Sequence, residues 1–251
     1  MKLIIDLGNT LAKFALFNKD QIVETISSEK LSKKNLTDYL DKNPLISSAI
    51  LASVINYSDE IKLILKEKIY LLELNPSTLI PIENLYSTPK SLGNDRIAAA
   101  VGGNQQFKDQ NVLIIDAGTC IKYDFVNHKN QYLGGSISPG IAMRFKALNT
   151  FTDKLPLLDS RNINQDLPFE ENLIGANTQD SILSGVLKGT IIEVKGIINE
   201  YQQKFPGLKT IFTGGDLNFF IGQLKKNSIF ADPFLVLKGL NAILDFNTKT
   251  I

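Results

Sequence analysis

The chain has 251 residues, room for one large domain or two smaller ones, with 43% hydrophobic and 21% charged residues, the ordinary balance of a soluble globular protein. A net charge of +1 gives no electrostatic footprint for nucleic acid or an anionic membrane, and a single cysteine, Cys120, excludes an internal disulfide and a cysteine-based zinc cluster. Met1-Lys2 runs directly into a strand and no apolar run approaches the ~18 residues that span a bilayer, so the expectation is a cytoplasmic protein without signal peptide or membrane span.

In chain order, apolar Leu3-Ile4-Ile5 predicts a buried strand ending on Asp6. Gly8-Asn9-Thr10 turns the chain, and Phe14-Ala15-Leu16-Phe17 carries it back as a second strand. A tight turn with a carboxylate at its entrance, a glycine and a free hydroxyl can cradle phosphate and a metal ion. A third strand follows over Gln21 to Thr25, then a helix over 31–42 with Leu31, Leu36 and Leu40 apolar, ended by Pro44. Ser48 to Val54 is a short apolar strand. Ser58-Asp59 is placed to cap a helix over Glu60 to Lys68. This meander followed by alternating strand and helix is the element order of a ribonuclease-H-like α/β domain.

Pro76, Pro81 and Pro89 mark residues 75–92 as an extended connector, which ends in Gly93-Asn94-Asp95-Arg96 at the mouth of a helix beginning with Ile97. Asn94 or Asp95 has a plain reading as the helix N-cap. Asp and Arg together at a helix mouth, after a glycine, can equally take a substrate hydroxyl and an anion. Both readings stand at this level.

The opening phrase returns as Leu113-Ile114-Ile115-Asp116-Ala117-Gly118-Thr119, again followed by an apolar strand containing Tyr123, Phe125 and Val126. This repeat predicts a duplicated domain, residues 1–108 and 109–251, with two phosphate-facing turns. The only histidine, His128, falls on a hairpin tip, Asn127 to Asn130, and is a poor candidate for catalysis. The glycine-rich run Tyr132 to Gly140 reads either as strand, turn and helix start or as backbone approaching a ligand. Residues 150–176 are irregular, as a lid or an interface would be. A helix is predicted from Gln179 to Glu200, a strand into a diglycine turn over Thr210 to Asp216, and a last helix over Pro233 to Phe246.

The matching hairpins predict that Asp6 and Asp116 face each other across a cleft, where paired carboxylates suit hard cations that also hold nucleotide phosphates. Thr10 and Thr119 supply hydroxyls, and Lys13 is within reach of a phosphate. There is no P-loop motif, and one histidine on a loop tip leaves no Ser/His/Asp triad. Cys120 is expected to be a buried, inert thiol.

Asp6-x-Gly8-Asn9-Thr10-x-x-Lys13, Gly93-x-Asp95-Arg96, Asp116-x-Gly118-Thr119, Gly134-Gly135-x-Ile137-x-Pro139-Gly140, Asn177-Thr178 and Thr213-Gly214-Gly215-Asp216 occur in this order over almost the whole chain. The set resembles the type III pantothenate kinases of the acetate kinase/sugar kinase/Hsp70/actin superfamily. The resemblance implies two ribonuclease-H-like (actin-like ATPase) domains with mixed sheets flanked by helices, an ATP cleft between them, and phosphoryl transfer from ATP to pantothenate, the first step of coenzyme A biosynthesis. It assigns ATP phosphates to Asp6, Leu7, Gly8, Asn9, Thr10, Leu11, Ala12 and Lys13, with Asp6 near Mg²⁺, and an ATP contact to Thr119. It assigns pantothenate to Tyr86, Gly93, Asn94, Asp95, Arg96 and Thr178, the last from a homodimer partner, with Asp95 as the base. A carboxylate is a feeble base at neutral pH, so Asp95 would act mainly by orienting the hydroxyl in line with the γ-phosphorus. Asp116 would bind a monovalent cation, K⁺ or NH₄⁺.

One departure stands out. The family often continues Ala-x-Thr after Asp116-x-Gly-Thr, whereas this chain has Cys120-Ile121-Lys122. If Lys122 points toward the cleft, a fixed cation competes with the monovalent ion at Asp116. The alternatives are another small-molecule kinase of the superfamily and a non-catalytic nucleotide-binding transcriptional accessory protein. Asp6, Asp95 and Asp116 together disfavour the second, because a binding module has no need for all three. An actin-like filament former is disfavoured by the chain's length.

Overall fold

Strand β1 (Lys2–Leu7) has Leu3, Ile4 and Ile5 at 1% exposure or less, the pattern of a central strand covered on both faces. Burying each of these side chains contributes about 1.5–3 kcal/mol. The computed structural model describes residues 1–8, 11–28, 32–158, 173–224 and 228–248. Asn9 and Thr10 of the first turn, and 159–172 of the irregular stretch, lie outside the described residues.

The chain forms two compact units: Met1–Lys108 with Lys129–Leu133 and Phe234–Ile251, and Asp109–His128 with Gly134–Pro233. In the first, β1 pairs antiparallel with β2 (Ala12–Asn18), which pairs with β3 (Gln21–Ser28). On its other edge β1 runs parallel to β4 (Ser48–Ser53), and β4 to β5 (Tyr70–Glu73). The order is β3-β2-β1-β4-β5. Helices α1 (Lys33–Lys42) and α2 (Asp59–Lys68) begin at serine caps. Ser32 accepts from the Asn35 amide and Ser58 from that of Glu60. Leu36, Leu40, Ile61, Ile64 and Leu65 of these helices pack on Leu3, Ile5, Leu7 and Phe14 of the sheet. Helix α3 (Asn94–Gln106) packs along α8 (Leu235–Thr248), and α8 also meets β1 and β4.

The second unit repeats the plan. Strand β7 (Val112–Ala117) pairs antiparallel with β8 (Cys120–Val126) and parallel with β10 (Lys209–Thr213), which pairs with β11 (Ile229–Ala231). With β9 (Gln131–Pro139) the order is β9-β8-β7-β10-β11, the same wiring as in the first sheet. The first residues of β9 also pair with the two-residue β6 (Glu83–Asn84). The core joins Leu113, Ile115, Tyr123 and Phe125 of the sheet to Phe145 of α4 (Ile141–Thr150), Ile182 of α5 (Thr178–Leu183), Val194 of α6 (Gly189–Lys204) and Phe220 of α7 (Leu217–Gln223). The single helix predicted from Gln179 is α5 and α6 joined by one π-type turn, Ser184–Lys188, which contains Gly185. The two mixed sheets flanked by helices are the predicted α/β class. Among the described residues no helix is long and apolar enough to cross a membrane.

Candidate active site

In the first unit the candidate residues gather at the carboxyl ends of the parallel strands. Asp6 is the penultimate residue of β1 and lies in register with Lys13 of β2, so both side chains emerge on one face of the sheet. Gly8 N–H donates to Leu11 O at 3.1 Å. Leu7 and Ala12, also in register, are buried and can meet a ligand only through their backbone.

The residue capping α3 is Gly93, with φ −61° and ψ 135° and no side chain to cap with. The cap predicted at Asn94 or Asp95 is therefore displaced by one position, and both belong to the first helical turn. The Asn94 side-chain amide donates to Ser53 O at 3.2 Å and to Leu74 O at 3.1 Å, pinning the start of α3 to the ends of β4 and β5. Asp95 Oδ1 accepts from the Arg96 amide at 2.9 Å, a charge favoured by the positive end of the 13-residue helix. The Arg96 side chain is held with its guanidinium carbon 5.6 Å from the Tyr86 ring centroid, and that ring lies 6.1 Å from the ring of Tyr132. Tyr86, Asp95 and Arg96 thus share one neighbourhood, stiffened by cation–π and ring contacts.

In the second unit three backbone turns press together with no side chain between them. A Cβ on Gly140 would stand 2.0 Å from Gly118 O, and one on Gly214 would stand 2.2 Å from Ala117 O. Gly214 also has φ +96°, a conformation that disfavours any other residue. Asp216 N–H donates to Ala117 O at 2.9 Å, closing the third turn on the first. The glycines read as approaching a ligand thus approach neighbouring backbone first, and Gly135 does likewise against Tyr123 O. The resulting surface of main chain, with Thr119 exposed on it, is of the kind that accepts phosphate.

Asp116 lies at the end of β7, in register with Lys122 of β8 and with Thr213 of β10. Lys122 Nζ is 2.5 Å from Asp116 Oδ2. The antiparallel register puts the Lys122 side chain on the same face of the sheet as Asp116. Cys120 is half-buried at the first position of β8, not fully buried as expected. His128 is exposed on its turn, as predicted. Thr178 is the exposed first residue of α5, where Asn177 caps by accepting from the Asp180 amide at 2.9 Å.

Sequence reasoning missed two things here: the backbone anchoring by Asn94 and the polar cluster behind β9. In that cluster Glu193 accepts from Ser138 at 2.6 Å, Tyr123 at 3.2 Å and Arg144 at 2.6 Å, tying β8, β9, α4 and α6 together. Burial alone would raise the Glu193 carboxyl, but the bonds from Ser138 and Arg144 outweigh it and hold it below the ordinary range. No spacing in the sequence announces contacts this remote.

Burial pushes the Asp216 carboxyl up from 3.8 to about 6. A carboxyl whose pKa rises on folding holds its proton more tightly in the folded state. Its stabilising contribution is complete below about pH 4 and is lost as the pH climbs through about 6. Asp216→Asn removes that loss, so the variant should match the parent near pH 4 and exceed it at neutral pH. The gain is on the order of 1–2 kcal/mol once screening of the exposed side is allowed for. Urea unfolding of both proteins at the two pH values checks it.

A family model described as type III pantothenate kinase matches residues 2–200. A type III pantothenate kinase of Phocaeicola vulgatus is 44% identical over 250 residues, covering 99% of this chain and all of the relative. One from Christiangramia forsetii is 43% identical over 248 residues, covering 98% and 99%. Among solved structures, a Baf family transcriptional activator from Campylobacter jejuni superimposes with a TM-score of 0.60 at 23% identity, covering 98% and 99%. The ADPNP-bound activator of 2-hydroxyisocaproyl-CoA dehydratase from Clostridium difficile gives 0.55 at 12%, covering 100% and 97%. At such identities the structural matches establish the fold, and the two repeated sheets agree with it. By its match to the family model and by relatives aligned from end to end, the chain belongs to the type III pantothenate kinase family.

Proposed function

We infer that the chain transfers the γ-phosphoryl group of ATP to the hydroxyl of pantothenate, opening coenzyme A biosynthesis. The observation that carries this beyond family membership is the joint placement of Tyr86, Asp95 and Arg96 at the mouth of α3. Asp95 is proposed to orient the pantothenate hydroxyl and take its proton. Arg96, fixed against Tyr86, suits the carboxylate of the same substrate, since a stacked guanidinium loses little freedom on pairing. Gly93 and Asn94 hold this corner in place, Asn94 through its two backbone bonds.

The Asp6 to Lys13 segment is proposed to meet the ATP phosphates, and Thr119 is proposed as a further ATP contact. Mg²⁺, held by nucleotide phosphates with Asp6 as its carboxylate, would spread the charge of the transferring group. A single strand-end carboxylate on a half-buried site suits that ion, which usually keeps several waters. Thr178 is assigned to the pantothenate pocket of a homodimer partner. That reading is supported by Leu173, Ile174 and Ile192, apolar and more than half exposed.

ADP release from Mg-ATP, measured with pantothenate, glucose, N-acetylmannosamine and glycerol in turn, tests the substrate. Release with pantothenate alone is expected. Release with a sugar instead would reassign the chain to another kinase of the superfamily, and ATP binding without release would favour a regulator.

A further inference from the structure

The monovalent cation expected at Asp116 can be tested against the residues around that carboxylate, an inference that rests on the kinase function proposed above. Antiparallel register sets Lys122 opposite Asp116 on one face of the second sheet. The ion pair is 2.5 Å long, and its side chains are only 16% and 14% exposed. The other carboxylate oxygen lies close to the Gly214 turn, where an added Cβ would stand 2.6 Å from Asp116 Oδ1. One oxygen therefore already holds a full positive charge, and the other lies beside the Gly214 turn.

A monovalent ion on this carboxylate would have to bind beside a fixed ammonium in a part-buried setting, where like charges repel strongly. The donor set does not fit an exchangeable K⁺ or NH₄⁺. A lysine ammonium is itself a tethered ammonium ion. The same acid–lysine pairing, Asp6 with Lys13, recurs in register at the matching place in the first sheet although the hairpins differ in length. We propose that Lys122 permanently supplies the positive charge that a monovalent cation would otherwise bring to Asp116, and that this chain binds and uses ATP without K⁺ or NH₄⁺.

The test measures ATP affinity by calorimetry, and pantothenate-dependent ADP release, in potassium chloride and in choline chloride of equal ionic strength. The wild type, Lys122→Thr and Lys122→Gln are compared, the second variant keeping most of the stem should the first fail to fold. The wild type is expected to differ by less than about twofold between the salts, while both variants lose about tenfold or more in choline and recover in potassium. A wild type whose ATP affinity or turnover rises about tenfold in potassium overturns the proposal, as do variants indifferent to the salt. If pantothenate is not phosphorylated in either salt, the kinase reading fails, and the salt dependence of ATP affinity still decides for or against Lys122.

Discussion

Asp95→Asn is expected to lower kcat for pantothenate phosphorylation by about 10²–10⁴-fold while leaving ATP affinity within about twofold. Asparagine keeps the Oδ1 acceptor that the Arg96 amide uses, so the first turn of α3 has no reason to rearrange. What is lost is the charge and the capacity to take a proton. Because Asp95 is assigned to the acceptor hydroxyl and not to the nucleotide, the effect should fall on the chemical step. Steady-state kinetics with calorimetric ATP binding separates the two. A variant within about tenfold of the parent kcat would remove Asp95 from the chemistry.

The second large effect is on stability and comes from the contact between α3 and α8. A Cβ on Gly239 of α8 would lie 1.8 Å from Ala98 O, and one on Gly102 of α3 would lie 2.4 Å from Leu235 O. The two helices meet backbone to backbone at Ala98 and Gly102, and Ala98, Ala99 and Ala100 are fully buried. Main chain cannot rotate away as a side chain can, so Gly239→Ala forces the helices apart. The cost should be about 3 kcal/mol, at the top of the range for overpacking. In a chain of this size that corresponds to a fall of roughly 6–12 °C in Tm. Since α3 carries Asp95 and Arg96 within one turn of Ala98, the KM for pantothenate should rise as well. Gly196→Ala in α6, where an added Cβ meets nothing within 4 Å, is the contrast. It should stabilise by about 0.5–1 kcal/mol, because alanine is the better helix residue. Differential scanning calorimetry of both variants checks the opposed signs, and two equal shifts would contradict this account of the seam.

The repeat Leu-Ile-Ile-Asp-x-Gly carried most of the fold. Two apolar strands with the same turn chemistry had to be central strands of two sheets, and both sheets wire identically around them. The serine cap at Ser58 was legible because capping is local chemistry. Short, half-buried strands such as β5 and β11 escaped, since four and three residues give no period to read. In the site, residue types were legible and directions were not. Asp95 and Arg96 are legible as residue types, but the sequence reads Asn94 as a cap, and only the fold places its amide on Ser53 and Leu74. Lys122 lay six positions beyond Asp116, and only the pairing of β7 with β8 shows that the two side chains meet. Glycines that press turn on turn likewise depend on contacts between segments remote in sequence.

The most direct measurement is mass spectrometry of pantothenate after incubation with the protein and Mg-ATP. The account predicts a product heavier by one phosphoryl group, carried on the terminal hydroxyl and sharply reduced with Asp95→Asn. ATP that binds, or is hydrolysed, while pantothenate stays unmodified would contradict it.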